Sequence, residues 1–349
     1  MTFGIKDIGA AIVTYNTRQL LVDLVRSLVE PGSLPMAERG QAVRHASWPL
    51  PSRRSPAMAQ EQIFVVDNAS TDGTDQSIKR AFPRIGYVYN HSNLGPATAF
   101  NQAVRRAAAY RLILVSNSDI WVPPSTLRIM TDYLNEDRDC MGVCGRLCHP
   151  DGTPQPSRTA VTSLLPADMS RVHRATFPGT TFALYRREAF ERVGLYDEVF
   201  YFYNEDLDWA IRAQRLGLRF MYLPEARVVH YVSQGRKQNG PKIIAHLYRS
   251  NLYVYRRHWP RLVRLAYGLM LAEIEWRRHR AEWDYRRRRS PYDAPTRSGT
   301  DRQVVQAVWE EARQQLMAEL RTPSTPKIPT LAGFAADRDI VRATPSDLD

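Results

Sequence analysis

Three acidic clusters stand far apart in the chain, and each closes an apolar run. Asp67-Asn68-Ala69-Ser70-Thr71-Asp72-Gly73-Thr74 follows IFVV, Asn117-Ser118-Asp119 follows LILVS, and Asn204-Glu205-Asp206-Leu207-Asp208-Trp209 follows the aromatic run FYFY. Carboxylates at such places suit hard divalent cations, which prefer oxygen ligands and often bridge a protein to phosphate oxygens. His230, in VVHY, adds an imidazole that would shift the preferred metal from magnesium toward manganese. One such cluster alone reads most simply as a helix N-cap or an Asx turn. Three of them, at this spacing and in this order, weaken that reading.

The segments that must hold these clusters alternate between short β-branched runs and helical patterns. Strands are predicted at Ile8–Tyr15, Ile63–Asp67, Tyr87–Asn90 and Leu112–Ser116, and helices at Gln19–Val29, Thr74–Ala81 and Ala97–Tyr110. Such alternation implies crossover units and a parallel sheet covered on both faces. Ligands bind such sheets beyond the carboxyl ends of the strands. Every predicted strand ends in polar residues there: Thr14-Tyr15-Asn16, Asp67-Asn68, Asn90 to Asn93 and Asn117-Ser118-Asp119. Residues 31–60 break the rhythm with five prolines and no periodicity, which reads as a long flexible insertion. Cys140 to Thr181 is rich in strand and turn signals, with Asp151-Gly152 marking a hairpin. Helices are expected at Glu188–Val193 and Glu205–Leu216, extended chain at Phe220–Val232, and one or two long helices over 241–289, broken at Pro260. A further helix is expected over 301–320, and the tail after Arg321 reads as disordered.

On these motifs the sequence resembles the family-2 nucleotide-sugar glycosyltransferases of GT-A fold, in their rhamnosyltransferase-like branch. The stretches that carry the resemblance are AIVTYN (11–16), VVDNASTDGT (65–74), NLGPATAFNQAV (93–104), SNSD (116–119), PGTTFALYRREAFERVGLYDE (178–198), NEDLDWAIRAQRLG (204–217) and YLPEARVVH (222–230). Together they run from about Ile8 to His258. The resemblance implies an α/β, Rossmann-like fold with a mostly parallel central sheet flanked by helices, and a C-terminal helical extension. The expected organisation is a catalytic domain over 1–240, a basic helical extension over 241–321 and a disordered tail over 322–349.

What the resemblance implies for single residues is specific. Thr14 and Tyr15 match positions that pack on the nucleotide base. Asp67 matches a carboxylate that accepts a hydrogen bond from the imide nitrogen of uracil or thymine, a donor such an acceptor requires. Asn93 and Gly95 match the loop that approaches the ribose and diphosphate. Asn117, Ser118 and Asp119 match the family's metal motif, with Asn117 in place of its first carboxylate, leaving Asp119 as the direct ligand. His230 matches a histidine that completes the shell of a divalent metal, Mn2+ or Mg2+. Asp206 matches the catalytic base that deprotonates an acceptor hydroxyl, with Glu205 holding the acceptor or orienting Asp206. Asp208 is expected to pair with Arg212 one turn later, and Trp209 to lie in the core or to wall the acceptor side. The implied reaction is inverting transfer of a sugar from a dTDP- or UDP-sugar to a cell-envelope glycan or lipid-linked precursor. Modified DNA, a protein or a small natural product are alternative acceptors, and a non-catalytic binding protein on the same fold is the competing class.

Other signals are excluded or discounted. No GxGxxG follows a strand, no GxxxxGK[ST] is present, and no GxSxG elbow appears. Cys140, Cys144 and Cys148 are expected to be buried, inert thiols, since a zinc site needs four ligands at tighter spacing. Three cysteines in 349 residues form no dense disulfide framework, which points to a reducing cytoplasm. Neither a signal peptide nor an uncharged apolar run of about 18 residues is found. At 44% hydrophobic and 10% aromatic residues the chain has material for a large core, so wholesale disorder is excluded.

The formal net charge of +12 has an address. Residues 241–290 hold 13 basic and four acidic residues, a local balance of +9, interleaved with tyrosines and tryptophans. A basic helical segment with such aromatics suits peripheral contact with an anionic membrane, here the inner face of the cell membrane. It also fits phosphate tracking on nucleic acid, the less favoured partner, or a solvated helix packed on the catalytic domain.

Overall fold

The computed structural model describes residues 2–35, 57–155, 169–231, 234–287 and 302–331. The chain divides into two compact units: Met1–Glu198 with Glu205–Gln234 and Ile328–Asp349, and Val199–Asn204 with Gly235–Lys327.

The first unit runs β1 (Ile8–Thr14), α1 (Arg18–Val29), β2 (Ile63–Asp67), α2 (Thr74–Ala81), β3 (Gly86–Tyr89), α3 (Pro96–Ala107) and β4 (Leu112–Asn117). It continues with β5 (Ile120–Trp121), α4 (Thr126–Glu136), β6 (Cys140–Cys148), β7 (His173–Arg174), β8 (Phe182–Arg186), α5 (Arg187–Val193), α6 (Glu205–Arg215) and β9 (Arg219–His230). One sheet has the order β3-β2-β1-β4-β8-β6-β9-β5, with β7 paired to β9. The continuous apolar runs of β1, β2 and β4 require cover on both faces, which is how central parallel strands read. Ile8, Ile12, Ile63, Val65, Leu112 and Leu114 are fully buried there, each contributing about 1.5–3 kcal/mol relative to exposure.

The register decides where the site lies. β1 is parallel to β2 and β4, with Thr14 opposite Asp67 and Val13 opposite Asn117. The polar strand ends therefore share one rim. β8 then enters antiparallel to β4, with Ser116 opposite Phe182. β5 pairs antiparallel with the end of β9, Ile120 opposite His230.

The expected strands and helices of the first half match the structure to within three residues at their ends. β5, β8 and α4 were not expected. α4 follows Pro123-Pro124 and buries Leu127, Met130 and Leu134 on one face. The centre of the 31–60 insertion lies outside the described residues; near its end Met58 is buried and its N–H bonds Leu28 O at 2.9 Å. The turn at Asp151-Gly152 forms as expected, with Gly152 N–H on His149 O at 2.8 Å and His149 N–H on Thr153 O at 2.8 Å.

The second unit holds most of α7 (Gln234–His258), then α8 (Val263–Arg287) and α9 (Arg302–Arg321), with a 3-10 turn at Pro260–Leu262 where the break was expected. Tyr248, Leu252, Ile274, Ala312 and Leu316 form its core. Its boundary falls at Gly235, not 241, and it takes in Val199–Asn204 as well. Phe200 meets Tyr253 edge-on at 5.1 Å, and Asn204 Nδ2 donates to Asn251 Oδ1 at 2.8 Å. The described start of the expected disordered tail is tied down instead. Ser324 Oγ donates to the buried Glu319 at 2.6 Å, and Leu195 N–H donates to Pro329 O at 3.0 Å. Backbone pairing, invisible to composition, fixes it. Among the described residues no helix is long and apolar enough to cross a membrane.

Candidate active site

At the rim, hydroxyls link the ends of β1 and β4. Thr14 Oγ1 lies 2.8 Å from Thr17 Oγ1, which lies 2.7 Å from Ser118 Oγ. Tyr15 is half-buried beside them. Asn16 N–H donates to Ser70 Oγ at 2.7 Å, and Asn16 Oδ1 accepts from Thr71 N–H at 2.7 Å, locking the first two strand ends together.

Asp67 is fully buried, and both its oxygens are in use. Ser70 N–H donates to Oδ1 at 2.7 Å and the Tyr87 hydroxyl to Oδ2 at 2.6 Å. Within the chain, the carboxylate thereby braces the Ala69–Thr71 turn. Burial pushes its pKa above the ordinary value, while the Tyr87 and Ser70 hydrogen bonds pull the other way.

Asn68 positions the next loop. Its Nδ2 donates to Asn93 Oδ1 at 2.8 Å, and its Oδ1 accepts from Leu94 N–H at 3.0 Å. Asn93 Oδ1 also receives Gly95 N–H at 3.0 Å. Gly95, at φ +81°, caps α3 with Pro96 behind it; a side chain would be strained in that conformation.

Asp119 and His230 come together because β5 pairs with β9. His230 Nε2 is 3.5 Å from Asp119 Oδ1, and Tyr231 N–H donates to Asp119 O at 2.9 Å. Gln155 fixes the imidazole. Its Nε2 donates to His230 O at 2.6 Å and Cys148 O at 3.1 Å, so its Oε1, 2.9 Å from His230 Nδ1, must be the acceptor. Nδ1 therefore carries the proton, and in the neutral ring the Nε2 lone pair faces the carboxylate. Two acceptors facing each other with a partner behind the imidazole is how a protein presents a divalent ion with ligands. The pair fits a metal in that respect. Among the described residues no group of three or more His, Cys, Asp or Glu gathers for one, so the protein here offers two ligands.

Glu205 and Asp206 open α6. Asp206 Oδ1 accepts from Leu207 N–H at 2.9 Å, and both the N–H and hydroxyl of Thr180 bond its carboxylate. Gly179, at φ +71°, packs beside it, and Gly179 O accepts from the Tyr185 hydroxyl at 2.9 Å. Glu205 is buried with Oε2 unpartnered. Burial, and then the neighbouring Asp206 charge, push Glu205 up to about 8; burial raises Asp206 as well. Asp208 pairs with Arg212 at 2.8 Å, and Trp209 is buried with Nε1 on Gly194 O at 2.8 Å, both as expected.

The Gly179–Thr181 loop joins the two halves. Thr181 O accepts Asn117 N–H at 3.1 Å, while Thr180 bonds Asp206. The metal-motif strand end and the acidic pair thus flank one loop. Among the described residues, the non-glycine positions at positive φ are Asn16, Ala69, Tyr203 and Asn204. Asn16, Ala69 and Asn204 lie in the motif stretches and Tyr203 immediately before one, each held at a cost of about 1–3 kcal/mol. Sequence reading missed Thr17, Tyr87, Gln155 and Thr180. Only Gln155 carried a signal, since the Asp151-Gly152 turn folds it back along β6. The three cysteines are buried and free, and burial pushes Cys140 to about 11 and Cys144 to about 12, leaving unreactive thiols.

Residues 55–194 match the family model described as Glycosyl transferase family 2. An N-acetylglucosaminyl-diphospho-decaprenol L-rhamnosyltransferase of Mycobacterium tuberculosis, found in two strains, is 24% identical over 230 residues, 56% of this chain and 75% of that one. Among solved structures, the mannosyltransferase PcManGT of Pyrobaculum calidifontis with GDP-Man and Mn2+ is 16% identical, with a TM-score of 0.46 over 91% of this chain and 76% of that one. The family model and the rhamnosyltransferase relative define the class: the chain is a glycosyltransferase. Its family-2 domain spans Asp67, Asn93, Gly95 and Asn117 to Asp119, while Thr14, Tyr15, Glu205, Asp206 and His230 lie outside the matched stretch.

Proposed function

We propose that this chain transfers a sugar, with inversion, from a dTDP- or UDP-sugar to a hydroxyl on a lipid-linked or cell-envelope glycan acceptor. The observation that carries the reading is the Gly179–Thr181 loop, with Asn117 bonded on one side and Asp206 on the other. A donor seated on the strand-end rim would have its sugar between the Asp119 end and the Asp206 carboxylate. Thr14, Tyr15 and the Asn93–Gly95 loop would hold the nucleotide, above the floor braced by Asp67. Asp119 and His230 would hold a divalent metal, Mn2+ or Mg2+. When bound, such an ion neutralises charge on a diphosphate leaving group. Asp206, with the Thr180 and Leu207 donors fixing its carboxylate, takes the acceptor proton. Glu205, buried beside it, holds the acceptor side. The relative acting on a diphospho-decaprenol-linked sugar supports the lipid-linked acceptor.

The test is a panel of dTDP- and UDP-sugars with a polyprenyl-diphosphate glycan acceptor and added manganese, read by product mass. Turnover is expected with at least one donor, and Asp206→Asn should lower it by about 10²–10⁴-fold. Turnover unchanged in Asp206→Asn would remove Asp206 from the chemistry.

A further inference from the structure

α8 is apolar on two sides. Its inner side, through Val263, Tyr267, Met270, Leu271 and Ile274, packs in the core of the helical unit. Its other side carries Leu265, Leu269 and Trp276, with Leu262 in the preceding turn, all between 45% and 63% exposed. Spacings of three, four and seven residues put them on one stripe of a helix. Exposed Gly268 and Ala272 continue it without polar side chains. Large apolar residues gathered in this way on a surface mark an interaction site.

The border of the stripe is positive. Arg261 and Arg264 are exposed along one edge, and the Arg280 guanidinium lies 5.2 Å from the centre of the Trp276 ring. Among the described residues of α8, Glu273 is held by Arg277 at 2.8 Å and Glu275 by Arg278 at 2.7 Å. The surrounding stretch 241–290 carries +9. This combination selects the occupant. A second copy would bring the same arginines against these. A nucleic-acid backbone would use the arginines but leave the leucines in water. An anionic bilayer takes both, with leucines and tryptophan at the headgroup–acyl boundary and arginines among the lipid phosphates.

We infer that the Leu262–Leu265–Leu269–Trp276 face of α8 docks on an anionic lipid bilayer, with Arg261 and Arg264 meeting its phosphates. The inference stands on this surface alone, independently of the donor and acceptor proposed above. The full chain should co-sediment with vesicles of phosphatidylcholine and phosphatidylglycerol, weakly with phosphatidylcholine alone, and less at high salt. Leu265→Asp/Leu269→Asp, at exposed positions, should keep the parent melting temperature and lose about tenfold or more in partitioning. Arg261→Glu/Arg264→Glu should lose about fivefold or more per site. The proposal is overturned by no sedimentation with anionic vesicles at low salt. It is equally overturned by binding that ignores the leucine variants, by stronger binding to duplex DNA than to vesicles, or by dimers that those variants break while vesicles are not bound.

Discussion

Replacing Tyr87 by Phe takes one oxygen out of a buried place and leaves the shape almost intact. The phenol donates to Asp67 Oδ2 at 2.6 Å, where Tyr87 is 5% and Asp67 0% exposed. A hydrogen bond to a charged group contributes about 1.5–3 kcal/mol, so Tyr87→Phe should cost about 2 kcal/mol near neutral pH. For a unit of this size that is roughly 4–8 °C in melting temperature. The pH dependence separates this cause from a packing defect. Burial already holds Asp67 above its ordinary value, against the pull of Tyr87 and Ser70; without the phenol it rises further. A folded-state pKa raised above the unfolded value means the folded chain binds the proton more tightly, so stability falls as pH rises through the folded pKa. The penalty of Tyr87→Phe should therefore be larger at about pH 8 than at about pH 5. Thermal or urea unfolding of parent and variant, followed by circular dichroism at the two pH values, measures it. An equal penalty at both, or one under about 0.5 kcal/mol, would refute the brace.

Two further substitutions probe the other halves of the site. Gln155→Leu frees the His230 tautomer and should weaken Mn2+ binding by about 10–100-fold in a titration with nucleotide present; unchanged affinity would detach Gln155 from the pair. Glu205, pushed up to about 8, favours the folded state while protonated and withdraws that support as pH rises through about 8. Glu205→Gln should therefore melt higher than the parent above that pH and lose this advantage in mild acid, as differential scanning fluorimetry across pH would record.

Much of this site is legible along the chain because parallel strands end together. A polar residue after each apolar run is a strand end, and Thr14, Asp67 and Asn117 share a rim once β1, β2 and β4 are parallel. The Asp119–His230 pair could be expected only by resemblance, because 111 residues separate the two and the β5–β9 register brings them together. What escapes the sequence is the direction of hydrogen bonds. That Asp67 is also a buried brace is decided by Tyr87 on a neighbouring strand, whose hydroxyl donates to it. Gln155 is an ordinary glutamine until the turn after β6 lays it against His230. β8 is a five-residue strand, apolar up to its terminal Arg186, that enters the sheet antiparallel, which no local periodicity announces. The tail after Arg321 has the composition of loose chain, yet backbone bonds hold its described part.

Val199–Asn204 come from the middle of the chain and belong to the helical unit. Phe200, Phe202 and Asn204 are held there by Tyr253, Ser250 and Asn251. The left-handed Tyr203 and Asn204 stand immediately before Glu205. The helical segment is thus no detachable appendage. Truncation after Gln234 would strip the residues that keep this hexapeptide in its costly conformation and release the entry to α6. Any recombination, gene fusion or swap with a relative has to exchange 199–204 and 235–327 together, since one structural unit has two addresses in the gene.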